Sequence, residues 1–204
     1  MLQDTFEVTG GCCLRGSIAP QGAKNEALQV LCAPLLTDEA VTISNIPAIR
    51  DVQRLLELLE GLGVETTRRS ASTYTLQARE IDLDYIHSAD FRRKARTIRG
   101  SVMLIGPLLA RFRRAFLPKP GGDKIGRRRL DTHFSGLQRL GAEFKFDPAT
   151  NEYNVEAPQL RGAHLLMDEI SVTGTANVIM TAVLAEGVTT IYNAACEPYV
   201  QQLC

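Results

Sequence analysis

The chain has 204 residues, 45% of them hydrophobic and 23% charged, with 23 basic and 23 acidic side chains and no net charge. It is long enough to bury a substantial core, and its composition excludes a disordered or disulfide-framed small protein. No apolar run reaches the roughly 18 residues of a membrane-crossing helix, and the acidic start MLQDTFEVTGG lacks a signal peptide's basic-then-apolar order.

A cytoplasmic protein is therefore expected, with no membrane partner. The five cysteines fit that setting: they contain no CxxC pair and no metal-like grouping with the three histidines.

Read in chain order, the small-residue turn at 22–23 opens a predicted helix over Asn25–Leu36, apolar at 27, 28, 30, 31, 35 and 36. A β-branched strand follows at Val41-Thr42-Ile43. An amphipathic helix over Val52–Leu62 is apolar at 52, 55, 56, 58, 59 and 62 and is ended by Gly63. Two strands near 64–68 and 73–78 close this stretch around the turn RSAS. An apolar helix then opens at Arg99 in RGSVMLIGPLLA. A glycine-rich loop, PGGDKIG (120–126), precedes RRRLDTH and a helix predicted over 131–141. Strands near 143–147 and 151–156 flank DPATN, and a last helix starts at EPYVQQL.

The neutral total conceals an asymmetry. From Arg92 to Arg129 the chain carries thirteen Lys or Arg and one acid, Asp123. Such a cluster sets up a local field that attracts anions. A nucleic-acid-binding module is one reading of 92–129, but its only aromatics are Phe112 and Phe116. A small, multiply charged anion suits it better.

The chain also repeats itself. Residues 22–45 align without gaps over 170–193, so that Asn45 falls on Asn193 at an offset of 148. Leu14-Arg15-Gly16 recurs as Leu160-Arg161-Gly162, GPLLAR (106–111) matches APLLTD (33–38), and QRLGAEF (138–144) matches LEGLGVE (59–65). Three copies of a βαβαββ unit near 74 residues account for these offsets, in an α/β fold. The third copy stops inside its second amphipathic helix. Domain boundaries seldom fall there, so a truncated chain is expected.

Four ordered segments now carry a resemblance: GAKNEAL (22–28), RGSVMLIGPLLARF (99–112), PGGDKIGRRRLDTH (120–133) and SVTGTAN…LAEGVTTIYNAA…EP (171–198). Together they resemble the UDP-N-acetylglucosamine 1-carboxyvinyltransferases, a family of enolpyruvyl transferases. The resemblance implies an inside-out α/β barrel of six βαβαββ units in two lobes, about three of them present here. On that reading residues 1–20 are opening strands of the other lobe. Residues 21–204 are one lobe of repeats at 21–80, 81–158 and, incomplete, 159–204. The implied reaction moves the enolpyruvyl group of phosphoenolpyruvate to the sugar's 3-hydroxyl and releases phosphate, in peptidoglycan synthesis. No cofactor or metal is implied. The implied partners are both substrates and the missing C-terminal half of the enzyme, not nucleic acid.

Residue by residue, Lys24 and Asn25 match the family's phosphoenolpyruvate contacts; without the family they read as a surface lysine beside a capping asparagine. Arg99 matches a substrate-contacting arginine. Arg92, Arg93, Lys94, Arg96, Arg113 and Arg114 have no such match and read as a solvated basic face. Asp123 stands where most members carry a loop cysteine and is the implied proton donor, with Lys24 the other catalytic candidate. Fosfomycin alkylates the usual thiol, so insensitivity to it is expected. Arg128, Arg129, Leu130, Asp131, Thr132 and His133 match a segment that holds the uridine diphosphate. Asp131, Thr132 and His133 also suit a helix N-cap. Glu169, Ile170, Ser171 and Val172 match a second nucleotide-contacting segment. There a carboxylate at 169 would repel a diphosphate, which favours Ser171 and Val172. Two alternatives stay open: a non-catalytic sugar-nucleotide-binding lobe, and transfer to shikimate 3-phosphate, against which RRLDTH and GGDKIG argue.

Overall fold

The computed structural model describes residues 5–118, 121 and 129–204. Residues 5–21 carry no regular element and are exposed throughout. The first helix, α1 (Lys24–Val30), is shorter than the apolar pattern predicts, and Ala33–Leu36 form a separate 3₁₀ turn. Pro34 is the cause: a continued helix would drive its ring into the carbonyl of Val30. The chain then runs through β1 (Val41–Ile43), α2 (Arg50–Gly61), β2 (Glu65–Arg68) and β3 (Tyr74–Gln77). Strand β3 lies between β1 and β2 and is antiparallel to both, so β1 and β2 are parallel, joined by α2.

The next stretch repeats that arrangement. A 3₁₀ turn (Leu83–His87) leads to α3 (Ala89–Ala95), capped by Ser88, whose Oγ accepts from the Phe91 amide at 3.0 Å. The helix expected at Arg99 begins as a 3₁₀ turn (Arg99–Leu104) and continues as α4 (Ile105–Phe112). Then come β4 (Arg114–Pro118), α5 (Asp131–Arg139), β5 (Glu143–Asp147) and β6 (Glu152–Glu156). Strand β6 lies between β4 and β5, as β3 lies between β1 and β2. In the last stretch β7 (His164–Leu166) and β8 (Thr190–Tyr192) pair in parallel across α6 (Val172–Ala182), and α7 (Pro198–Leu203) follows. Among the described residues, only this third stretch supplies the opening strand of a βαβαββ unit.

Equivalent backbone details recur at the sequence offsets. Gly63 and Gly141 both end an amphipathic helix at positive φ, 93° and 106°. A Cβ at either would sit 2.5 Å from a carbonyl oxygen, of Glu80 or Gln159 respectively. The Asp82 amide donates to Leu62 O at 2.9 Å, and the Arg161 amide to Leu140 O at 3.0 Å. Asn45 and Asn193, paired by the alignment, share left-handed backbone, at φ 59° and 58°.

The helices that read as apolar all round lie at the centre. Residues Ile105–Ala110 of α4 are all buried, and α4 packs against α6, which α5 covers on another side. A helix without a polar face has to be enclosed in this way. Burial of Leu31, Leu35, Leu55, Leu58, Leu59, Leu108, Leu109, Leu137 and Leu140 joins the stretches into one core. Among the described residues no helix is long and apolar enough to cross a membrane.

Candidate functional site

Two neighbouring cavities open at the start of the central helices. The larger, about 590 Å³, is walled on one side by α1, with Lys24, Asn25, Leu28 and Gln29. Opposite stand Thr97, Ile98, Arg99, Gly100 and Met103, while Arg50, Asp51 and Arg54 enter from the first turns of α2. Arg96 completes it from the end of α3. Among the described lining residues there are five cationic side chains and one carboxylate, Asp51. Lys24 Nζ lies 3.2 Å from Asp51 Oδ2, an exposed pair worth little by itself. Arg54 donates to Thr97 O at 3.2 Å, which ties α2 to the opposite wall. So much excess positive charge in one concavity sets up a field that favours an anion there.

The second cavity, about 400 Å³, is lined by Arg99, Arg129, His133, Glu169, Ile170, Ser171 and Thr173. Arg99 and Thr173 line both cavities, so the two adjoin across that guanidinium and hydroxyl. An Arg99 N–H donates to Arg129 O at 3.2 Å, anchoring the segment that enters α5. Arg129 Nε donates to Asp131 Oδ2 at 2.7 Å. That pairing, with Asp168 and Glu169 nearby, raises the arginine's proton affinity further. Thr132 Oγ1 donates to Glu169 Oε1 at 3.2 Å. Glu169 thus joins the two segments and offsets Arg129. Ser171 caps α6, its Oγ accepting from the Gly174 amide at 3.1 Å.

His133 is buried, and its protonation state follows from its neighbours. The Gly106 amide can only donate, and it does so to Asn177 Oδ1 at 2.8 Å. Asn177 Nδ2 therefore faces Val102 O at 3.1 Å and His133 Nδ1 at 3.0 Å. Nδ1 must accept, which leaves the proton on Nε2, 3.0 Å from Thr173 Oγ1. Burial, with the Arg99 charge adding to it, lowers the imidazole pKa to about 4. The ring is a neutral strut linking α5 to α6, and Asn177 carries the link on to Val102 in the Arg99–Leu104 turn.

A family model described as EPSP synthase (3-phosphoshikimate 1-carboxyvinyltransferase) matches residues 8–204. The chain belongs to the EPSP synthase family. UDP-N-acetylglucosamine 1-carboxyvinyltransferases are similar to it: that of Bacteroides thetaiotaomicron is 56% identical over 200 residues, covering 98% of this chain and 46% of that protein. The Porphyromonas gingivalis enzyme is 55% identical over the same shares of each chain. This chain thus spans about half the length of the curated relatives it matches. Among solved structures, the enolpyruvyl transferase NikO from Streptomyces tendae superposes with a TM-score of 0.79 at 20% identity, over 95% of this chain and 44% of that one. EPSP synthase from Acinetobacter baumannii gives 0.68 at 13%, over 92% and 42%. These two likenesses establish the α/β enolpyruvyl transferase fold.

Within this EPSP synthase-family fold, the sequence-derived residues fall into two sets. Lys24, Asn25 and Arg99 share the larger cavity; Arg99, Arg129, His133, Glu169, Ile170 and Ser171 share the smaller. Leu130 is half-buried, Thr132 is buried, and Val172 opens α6 beside the second cavity. Asp123 and Arg128 lie outside the described residues. Leu130, not Asp131, holds the N-cap position of α5, since the helical backbone begins at Asp131, whose carboxylate accepts from Arg129. Asn25 is likewise inside α1, with Ala23 at the cap.

The solvated basic face read over Arg92–Arg96 is corrected in part. Arg92 and Arg96 both bind the carboxylate of Glu152, which is 1% exposed, at 3.1 Å. Lys94 and Arg93 pair with Asp90, and hydrogen bonds from Lys94, Tyr85 and Arg93 hold its carboxyl well below the usual range. Sequence reasoning also missed Arg50, Arg54, Gln29 and Thr173 in the cavity walls. The i, i+4 arginines of α2 were the available signal, since 50 and 54 must share a helix face.

Proposed function

We propose that this chain is the N-terminal part of an enolpyruvyl transferase that uses phosphoenolpyruvate and UDP-N-acetylglucosamine. The observation that carries this reading is the sharing of Arg99 and Thr173 by two cavities. One is rich in cations and the other is built from the nucleotide-matching segments. A phosphorylated carboxylic acid suits the first, beside Lys24, Asn25 and Arg99. A sugar nucleotide suits the second, with its diphosphate toward Arg128 and Arg129 and its uridine along Leu130, Asp131, Thr132, Glu169, Ile170, Ser171 and Val172. The joint at Arg99 would then bring the sugar hydroxyl to the enolpyruvyl carbon.

In the proposed reaction the methylene carbon of phosphoenolpyruvate is protonated, and the sugar 3-hydroxyl bonds to the adjacent carbon and loses its proton. The carbon–oxygen bond to phosphate then breaks as a methyl proton leaves, regenerating the enol ether. Asp123 is the proposed proton donor, and Lys24 balances the phosphate charge. Half the length of the relatives is absent from this chain, so the proposal assigns the remaining groups to a C-terminal half. The complete protein is placed in the cytoplasm, in peptidoglycan synthesis, with phosphate as the second product.

The test is phosphate release by the family-length protein supplied with phosphoenolpyruvate and one acceptor at a time. Release with UDP-N-acetylglucosamine and not with shikimate 3-phosphate is expected. The opposite preference would overturn the assignment of the second cavity.

A further inference from the structure

Gln29 sits on α1 one turn beyond Asn25 and lines the cationic cavity. The residue is 1% exposed, yet neither its side-chain nitrogen nor its side-chain oxygen has a hydrogen-bond partner among the described residues. Buried polar groups are almost always satisfied, because leaving a carboxamide dry forfeits its hydration with no return. Its neighbours could have supplied partners. Arg54 and Arg96 line the same cavity, but they donate to Thr97 O and to Glu152. An apolar side chain of equal volume would fill this place on α1, next to Leu28, at no such penalty. Gln29 nonetheless lines a space large enough for a small molecule.

We infer that Gln29 is a ligand-binding residue of the cationic cavity, its Nε2 donating to an oxygen of a bound phosphorylated carboxylic acid. The carboxamide complements the surrounding charges. Arginine and lysine supply charge to the anion, whereas a neutral, buried donor fixes where one oxygen sits without adding a further repelling cation. The bound anion also draws guanidinium groups inward, and one of them then reaches the amide's Oε1. Both orphan atoms are satisfied only when the site is filled. Gln29 therefore discriminates between an occupied and an empty cavity more sharply than the exposed Lys24 can. This inference rests on the proposed anion site and adds to it a residue that binds by hydrogen bonding alone.

The test is the side-chain NH₂ signal of Gln29 in proton–nitrogen correlation spectra of the 204-residue chain, assigned as the pair missing from Gln29→Met and from Gln29→Glu. Inorganic phosphate and then phosphoenolpyruvate are titrated into each protein. The expected result is a saturable shift of that pair in the wild type, with affinity roughly tenfold weaker in Gln29→Met. Gln29→Glu, which sets a carboxylate against the anion, should weaken binding further, and either variant suffices for the assignment. Binding that leaves the pair unmoved and is equally tight in the variants overturns the role of Gln29 alone. No binding to the folded wild type overturns both the anion site and Gln29's place in it.

Discussion

The Gly106 amide donates to Asn177 Oδ1 at 2.8 Å where α4 crosses α6, and the two helices touch there through backbone. A Cβ on Gly106 would lie 2.7 Å from Asn177 O and 2.9 Å from Oδ1. Thr181 reinforces the crossing from α6, its Oγ1 donating to Gly106 O at 3.3 Å. Gly106→Ala should therefore force the central helices apart and destabilise the chain by about 1–3 kcal/mol. Urea unfolding checks this; an unchanged midpoint would show that the crossing is looser than described.

The same asparagine makes His133 a pH-dependent strut. Its pKa is about 4 in the fold and near 6.5 when unfolded. The unfolded chain thus binds the proton more readily between those values. Stability is full above about pH 6.5 and falls as pH drops toward 4, by on the order of 3 kcal/mol in total. About 2 kcal/mol of that should be lost between pH 7 and 5. His133→Gln should be less stable at pH 7 and show a shallower loss on acidification. Equal slopes in the two proteins would contradict the neutral, buried assignment.

Glu152 lies at the end of β6, opposite Pro118, with Arg92 and Arg96 on its carboxylate. Arg92 also stacks on Phe116, 5.1 Å from the ring centroid. Glu152→Ala would leave two guanidinium groups over a buried hollow. Both arginines are partly solvated, so the expected loss is about 1–3 kcal/mol, below that of a fully buried pair. Because Arg96 lines the cationic cavity, anion affinity should fall as well. Arg92→Ala should cost stability while leaving anion affinity less affected.

The carboxylate at position 123 bears on inhibition. The complete protein should keep its activity after prolonged exposure to fosfomycin, since a carboxylate is a far poorer nucleophile than the usual thiolate. Asp123→Cys should restore time-dependent inactivation. If the unaltered protein is inactivated, another nucleophile reacts and the reading of this position is wrong.

Much of the fold was legible because its signals are local. Gly63 and Gly141 mark helix ends that a Cβ would block, and the amphipathic spacing of Val52–Leu62 states which face α2 buries. The break after Val30 was also written in the chain, as Pro34, but the apolar spacing of 27–36 runs straight across it. For the site, the glycine turn and the arginine clusters indicated an anion. Their sorting depended on partners far along the chain. Arg96 looks solvated until Glu152, 56 residues later, is brought beneath it. His133 keeps its place in the wall of the smaller cavity, but the partners that hold its ring, Thr173 and Asn177, lie 40 and 44 residues further on. Gln29 looks like an ordinary helix residue until the cavity leaves its amide alone.

The most direct test of the account is calorimetric titration of the 204-residue chain with UDP-N-acetylglucosamine, with shikimate 3-phosphate and Arg99→Ala as comparisons. The account predicts one saturable site for the sugar nucleotide, weakened in Arg99→Ala, and no matching response to shikimate 3-phosphate. A folded chain that ignores the sugar nucleotide, or that binds both ligands alike, would contradict it.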